Sequence, residues 1–171
     1  MPTLINPFEV PPEADEAFVA SRRRESTLYR ALRADVDFRY VEVAPESSLP
    51  EAGRDFPSHP GLYEVARVDG TPDVDGGVVL INPFEVPDGD DERFLAGWDR
   101  AREVLAEQRG YLGTRLHRSV ASADFRFVNV ARWSSPLMFA RALDDPRFRA
   151  AAQAIPFPSH PALYQPVPMS S

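Results

Sequence analysis

Cysteine is absent from this 171-residue chain, which removes disulfides, thiolate nucleophiles, zinc ribbons and cysteine-ligated iron–sulfur clusters together. Lysine is absent as well, so all 19 basic residues are arginine. Schiff-base chemistry, a P-loop lysine and a lysine general base are thereby excluded. With 3 histidines, a His-rich metal centre would need almost all of them to converge, and no metal ligand set is expected. No apolar run approaches the ~18 residues that span a bilayer, and no charged-then-apolar leader opens the chain. The expectation is a soluble cytoplasmic protein with no membrane partner. Basic charge is also short, 19 residues against 26 acidic ones for a formal charge of −7, which argues against a nucleic-acid partner. What is present is apolar: 43% hydrophobic residues is enough for a real core in one ordinary domain or two small ones.

The chain repeats itself. Leu4-Ile5-Asn6-Pro7-Phe8-Glu9-Val10-Pro11 recurs letter for letter as Leu80 to Pro87. Asp37-Phe38-Arg39-Tyr40-Val41-Glu42-Val43-Ala44 recurs loosely as Asp124 to Ala131, and Phe56-Pro57-Ser58-His59-Pro60-Gly61-Leu62-Tyr63 returns as Phe157 to Tyr164. Three blocks in one order indicate a tandem duplication. The offset between copies grows from block to block, so the second copy is longer in two intervals, where helices are expected. Asp69 to Gly77, rich in Gly, Pro and Asp, reads as the linker. The predicted organisation is a first repeat over 1–69, a linker over 70–77 and a complete repeat over 78–171.

In the complete copy, Val78 to Val86 is an apolar β-branched run and reads as a strand. Asp90 is placed to cap a helix whose apolar residues Phe94, Leu95, Trp98, Ala101, Val104 and Leu105 fall at helical spacing before Gly110. Leu112 to Val120 and Phe125 to Trp133 read as strands two and three. Ser135-Pro136 starts a second helix, Asp145-Pro146 breaks it and starts another to about Ile155, and Ala162 to Val167 is the last strand. The order βαββαβ is the ferredoxin-like unit. The first copy keeps four strands, Thr3 to Val10, Thr27 to Ala34, Phe38 to Ala44 and Gly61 to Val68. Its first helix is cut to roughly Asp15 to Glu25, and Pro45 to Gly53 leaves room for little more than a turn in place of the second. Retained strands with eroded helices indicate that the sheet of this copy is needed while the helix-walled space above it is not. The Arg22-Arg23-Arg24 run reads as a solvated helix face.

The complete copy resembles the antibiotic biosynthesis monooxygenase family of the dimeric α+β barrel superfamily. The resemblance is carried by Leu80-Ile81-Asn82-Pro83-Phe84, Gly110-Tyr111-Leu112-Gly113-Thr114 and Asn129-Val130-Ala131-Arg132-Trp133. It implies an α+β fold: two tandem ferredoxin-like units forming a pseudo-dimeric α+β barrel within one chain, which leaves a further homodimer open. It also implies a pocket between helices and sheet, and a reaction in which an electron-rich aromatic polyketide-like substrate, of anthrone or phenol type, meets O2 with no cofactor. Asn82 and Asn129 would donate to the oxyanion and Trp133 would stack and position, the three catalytic candidates.

Strand alternation puts Phe125, Phe127, Asn129, Ala131 and Trp133 on one face of the third strand. Val78, Leu80, Asn82, Phe84 and Val86 share a face of the first. If these are the helix-side faces, the amides and the indole converge in an apolar pocket lined by the substrate-binding candidates Phe84, Phe94, Trp98, His117, Phe127 and Phe139. Asn129 aligns with Glu42 of the first copy and Trp133 with Glu46, which points to the second copy as the working one. A plainer reading stands beside each. A buried strand asparagine is commonly a satisfied structural amide, Trp133 could be core, Phe94 and Trp98 a packing stripe, and His117 an exposed or barrel-lining histidine rather than a general base. His59 and His160, in matching Ser-His-Pro turns, read as structural. Competing functions are a non-oxidative cyclase or isomerase in the same pocket and a non-catalytic ligand-binding protein. A haem-degrading enzyme is third, because Pro136 to Ala154 carries no histidine to ligate iron.

Overall fold

The first strand of each half is apolar on both faces, which is the pattern of a sheet covered on both sides. In the computed structural model, which describes residues 2–22, 25–46 and 56–169, one face lines a closed barrel and the other carries helices. Eight antiparallel strands, β1 (Thr3–Phe8), β2 (Thr27–Ala31), β3 (Tyr40–Pro45), β4 (Gly61–Gly70), β5 (Val78–Phe84), β6 (Tyr111–Ser119), β7 (Phe127–Trp133) and β8 (Ala162–Pro166), run around it in the order β1-β3-β2-β8-β5-β7-β6-β4. Each half supplies four neighbouring strands. The fourth strand of each half crosses to the second strand of the other: β4 pairs with β6, and β8 with β2. This is the pseudo-dimeric α+β barrel expected from the order of elements, and closure leaves no free sheet edge.

The helices α1 (Asp15–Ala20), α2 (Asp91–Leu105), α3 (Pro136–Leu143) and α4 (Pro146–Gln153) are divided unequally. In the N-terminal half α1 has 6 residues, shorter than the predicted Asp15 to Glu25, and buries Phe18. Most of the predicted turn from Pro45 to Gly53, together with Arg23 and Arg24, lies outside the described residues. In the C-terminal half α2 covers the sheet, and the break at Asp145-Pro146 separates α3 from α4 as predicted. Ser135 accepts from the Met138 N–H at 3.2 Å and Asp145 from the Arg147 N–H at 2.9 Å, so each short helix starts on its own cap. Asp90 holds the cap position of α2 without a side-chain hydrogen bond.

The two halves lock through equivalent contacts. The Tyr63 hydroxyl donates to the Phe125 carbonyl at 2.6 Å, and the Tyr164 hydroxyl to the Phe38 carbonyl at 2.6 Å. His59 lies between Asp124, 2.7 Å, and Glu9, 3.4 Å; His160 lies between Asp37, 2.6 Å, and Glu85, 3.1 Å. In each case one carboxylate belongs to the opposite half. Phe125 corrects the alternation read from sequence. The strand starts at Phe127, and the irregular backbone before it turns Phe125 into the barrel interior with Ile5, Val79 and Val128.

Candidate functional site

The site is built on two neighbouring strands. β5 and β7 pair in a register that sets Asn82 opposite Asn129, Val78 opposite Trp133 and Phe84 opposite Phe127. All six side chains therefore lie on one face, and it is the helix side: Phe84 and Phe127 pack with Phe94, Leu95 and Trp98 of α2, while Val78 and Trp133 pack with Leu105 and Ala142. Side chains directly opposite in an antiparallel pair lie about 5 Å apart at Cβ, so the two amides face a common point.

Both amides have fixed orientations. The His160 backbone N–H, which can only donate, points at Asn82 Oδ1 at 3.1 Å and is shared with the Pro83 carbonyl. Asn6 does the same for His59 at 3.0 Å, so this oxygen pins a turn. Thr114 donates to Asn129 Oδ1 at 2.6 Å. With each oxygen occupied, each Nδ2 turns away from its partner, and neither donates a hydrogen bond among the described residues. Trp133 is 0% exposed, and its indole Nε1 is buried without an acceptor. Trp133 Nε1 is thus a buried donor without a protein acceptor, although buried donors are normally paired, and the two Nδ2 groups that share its sheet face donate to no described residue.

Aromatic rings hold Trp133 in place. Tyr111 meets it edge-on at 5.7 Å and Phe139 at 5.3 Å. The Tyr111 hydroxyl donates to Asp69 at 2.8 Å, and Arg102 of α2 reaches the same carboxylate at 3.2 Å, tying the end of β4 to this wall. Phe94 stacks on Phe127 at 4.3 Å and meets Phe84 at 4.8 Å. The open hollow expected between helices and sheet is occupied by these rings: Phe94, Trp98, Phe127 and Trp133 are all buried. A cavity of about 520 Å³ opens on the far side of Phe139, lined also by Leu32, Val36, Pro136 and Leu163. Phe139 thus stands between solvent-accessible space and the indole.

His117 does not join this set. Leu116 pairs with Asn129, so His117, one residue on, faces the barrel lumen on the other side of the sheet. It is 8% exposed, and burial holds its pKa down to about 4. Thr114, which orients Asn129, was not singled out from sequence. Its signal is the strand register, which no single-strand pattern contains.

Comparison with known proteins agrees with this architecture. The family model of the antibiotic biosynthesis monooxygenases matches residues 77–154. An anthrone oxidase-like protein superposes with a TM-score of 0.73 at 15% identity, over 97% of this chain and 91% of that one. A monooxygenase-like protein from Listeria innocua gives 0.59 at 16% identity, over 99% and 96%. A cofactor-independent oxygenase from Streptomyces nogalater is 29% identical over 54% of this chain and 94% of its own, with a TM-score of 0.49. No curated protein matches. Through residues 77–154, the chain belongs to the antibiotic biosynthesis monooxygenase family.

Proposed function

We propose that the C-terminal half is a cofactor-independent monooxygenase for an aromatic, polyketide-like substrate of anthrone or phenol type. The observation that carries this reading is the trio of uncommitted donors, Asn82 Nδ2, Asn129 Nδ2 and Trp133 Nε1, on an apolar wall of flat rings. A substrate oxygen placed there becomes an oxyanion when the C–H conjugated to an anthrone carbonyl, or the O–H of a phenol, loses its proton to water, and fixed amide donors stabilise the charge as it forms. The resulting electron-rich carbanion reduces O2 and forms a C–O bond. Loss of water from the peroxide leaves a new carbonyl, so one oxygen atom enters the product and the other leaves as water.

Access requires the Phe139 ring to rotate out, opening the outer cavity towards Trp133. α3 is a short helix that buries only Ala142 completely, so this wall is the least anchored side of the site. We further assign the organisation to tandem duplication, with 1–69 as a repeat that lost its helix-walled pocket, 70–77 as linker and 78–171 as the working repeat. The filled cleft favours one competing reading, a protein of this fold without turnover. Oxygen uptake with a model anthrone separates the two. Uptake above the uncatalysed rate supports the oxygenase, and ligand binding without uptake supports the binder.

A further inference from the structure

The barrel lumen contains a cavity of about 300 Å³ on the opposite side of the sheet from the asparagines. Eight-stranded barrels have interiors that side chains just fill or that hold one small ligand, so this unfilled stretch needs an explanation. Its walls are aliphatic: Ile5 and Val43 from the N-terminal half, Val79 and Val130 from the C-terminal half. Its polar groups are Thr3, Tyr29, Asp73, Arg115, His117 and Arg132. His117 lines it, is 8% exposed and has an Nδ1 without a partner. Tyr29 lines the cavity from a strand of the other half. Arg115 and Asp73 also line it, but each satisfies the other through two hydrogen bonds. Arg132 differs. Its guanidinium makes only long hydrogen bonds, to the Pro72 carbonyl at 3.5 Å and the Gly76 carbonyl at 3.3 Å, and no ion pair among the described residues.

We infer that the lumen is a second ligand site, for a small monocarboxylate whose apolar body packs on Ile5, Val43, Val79 and Val130 and whose carboxylate pairs with Arg132. Two guanidiniums against the Asp73 carboxylate leave one net positive charge, which matches a monoanion. A guanidinium also presents two parallel N–H groups to a carboxylate, the geometry that gives strong charge-assisted pairs. Aliphatic walls disfavour inorganic phosphate, which has no apolar body to bury. The buried imidazole of His117, neutral above about pH 4, can accept from or donate to a polar substituent without adding charge. The site faces away from Asn82 and Asn129, so it stands or falls independently of the oxygenase reading.

Calorimetric titration of the full chain with benzoate, hexanoate and uncharged benzamide tests the site. Both acids should bind, and benzamide should bind at least ~10-fold more weakly than benzoate. Arg132→Gln should weaken the acids at least ~10-fold with the melting temperature retained, and Val130→Phe, which fills the cavity, should abolish binding. Asn129→Ala, on the other face, should leave it unchanged. Arg132→Gln decides the matter if Val130→Phe does not fold. The proposal is overturned if neither acid binds, if benzamide matches benzoate, if Arg132→Gln binds like the parent chain, or if Asn129→Ala removes binding.

Discussion

Asn82 and Asn129 look alike in sequence and sit opposite each other, yet their oxygens have different duties. Asn82 Oδ1 shares the N–H that pins the His160 turn, as Asn6 does at His59, whereas Asn129 Oδ1 takes the Thr114 hydroxyl. Thr114 can fall back on the Val130 carbonyl at 3.2 Å. Asn129→Ala should therefore lower turnover with an anthrone by ~10²–10³-fold, the usual loss for one oxyanion donor, at little cost in melting temperature. Asn82→Ala should lower both, with about 1 kcal/mol of stability lost in chemical denaturation. Equal destabilisation by the two would remove the distinction. Trp133→Phe offers a second separation. It removes a buried N–H that has no acceptor, a group that costs about 1–3 kcal/mol to bury unpaired, and this offsets the smaller ring. Stability within about 1 kcal/mol of the parent is expected alongside a large fall in turnover; a simple core tryptophan would lose stability and leave nothing else to measure.

At the scale of elements, local helix signals and the strand register set what could be read in advance. The amphipathic run from Phe94 to Leu105, the Ser135-Pro136 start and the Asp145-Pro146 break each have a local physical cause, and the helices form where that local chemistry puts them. Which residues share a face was legible wherever a strand ran unbroken, which grouped Asn129 with Trp133, but which face meets the helices was not, and Asn82 joins them only through the β5–β7 register. Faces were illegible where the backbone was irregular before β7, and Phe125 went to the lumen. His117 was uncertain for a related reason: its face depends on how β6 pairs with β7, a long-range fact. Whether the space above the sheet is open or filled depends on rotamers of Phe94, Trp98 and Phe139, which no spacing encodes. The segment between β4 and β5 ends at Gly77, whose φ is +71° and whose missing Cβ would collide with the Trp133 carbonyl. Gly77→Ala should destabilise by more than the ~1 kcal/mol usual for a glycine change, because both the conformation and the space are denied. A denaturation midpoint equal to that of the parent would contradict this conformation of Gly77.

Across the whole molecule, the two halves are held by paired strands and by histidine–carboxylate contacts. Burial opposes charge on His160, but its hydrogen bonds to Asp37 and Glu85 prevail and raise its pKa above the usual 6.5. A raised folded pKa means the folded state binds the proton more tightly. This contribution is complete below about pH 6.5 and is lost as pH rises through the folded value. His117 acts in the opposite sense: with its pKa near 4, its contribution is complete above about pH 6.5 and declines as pH falls towards 4. The melting temperature should fall on the alkaline side, and His160→Gln should flatten that limb; an unchanged limb would show that the contact does not hold the halves together. The central claim, that uncommitted amide and indole N–H groups stabilise a substrate oxyanion for reaction with O2, is tested most directly by oxygen-electrode measurement on the full chain with an anthrone. The expected result is uptake of one O2 per quinone formed, insensitive to added chelator and reduced at least ~10²-fold in folded Asn129→Ala. Uptake no faster than in buffer, or equal uptake by the parent and Asn129→Ala, would contradict it.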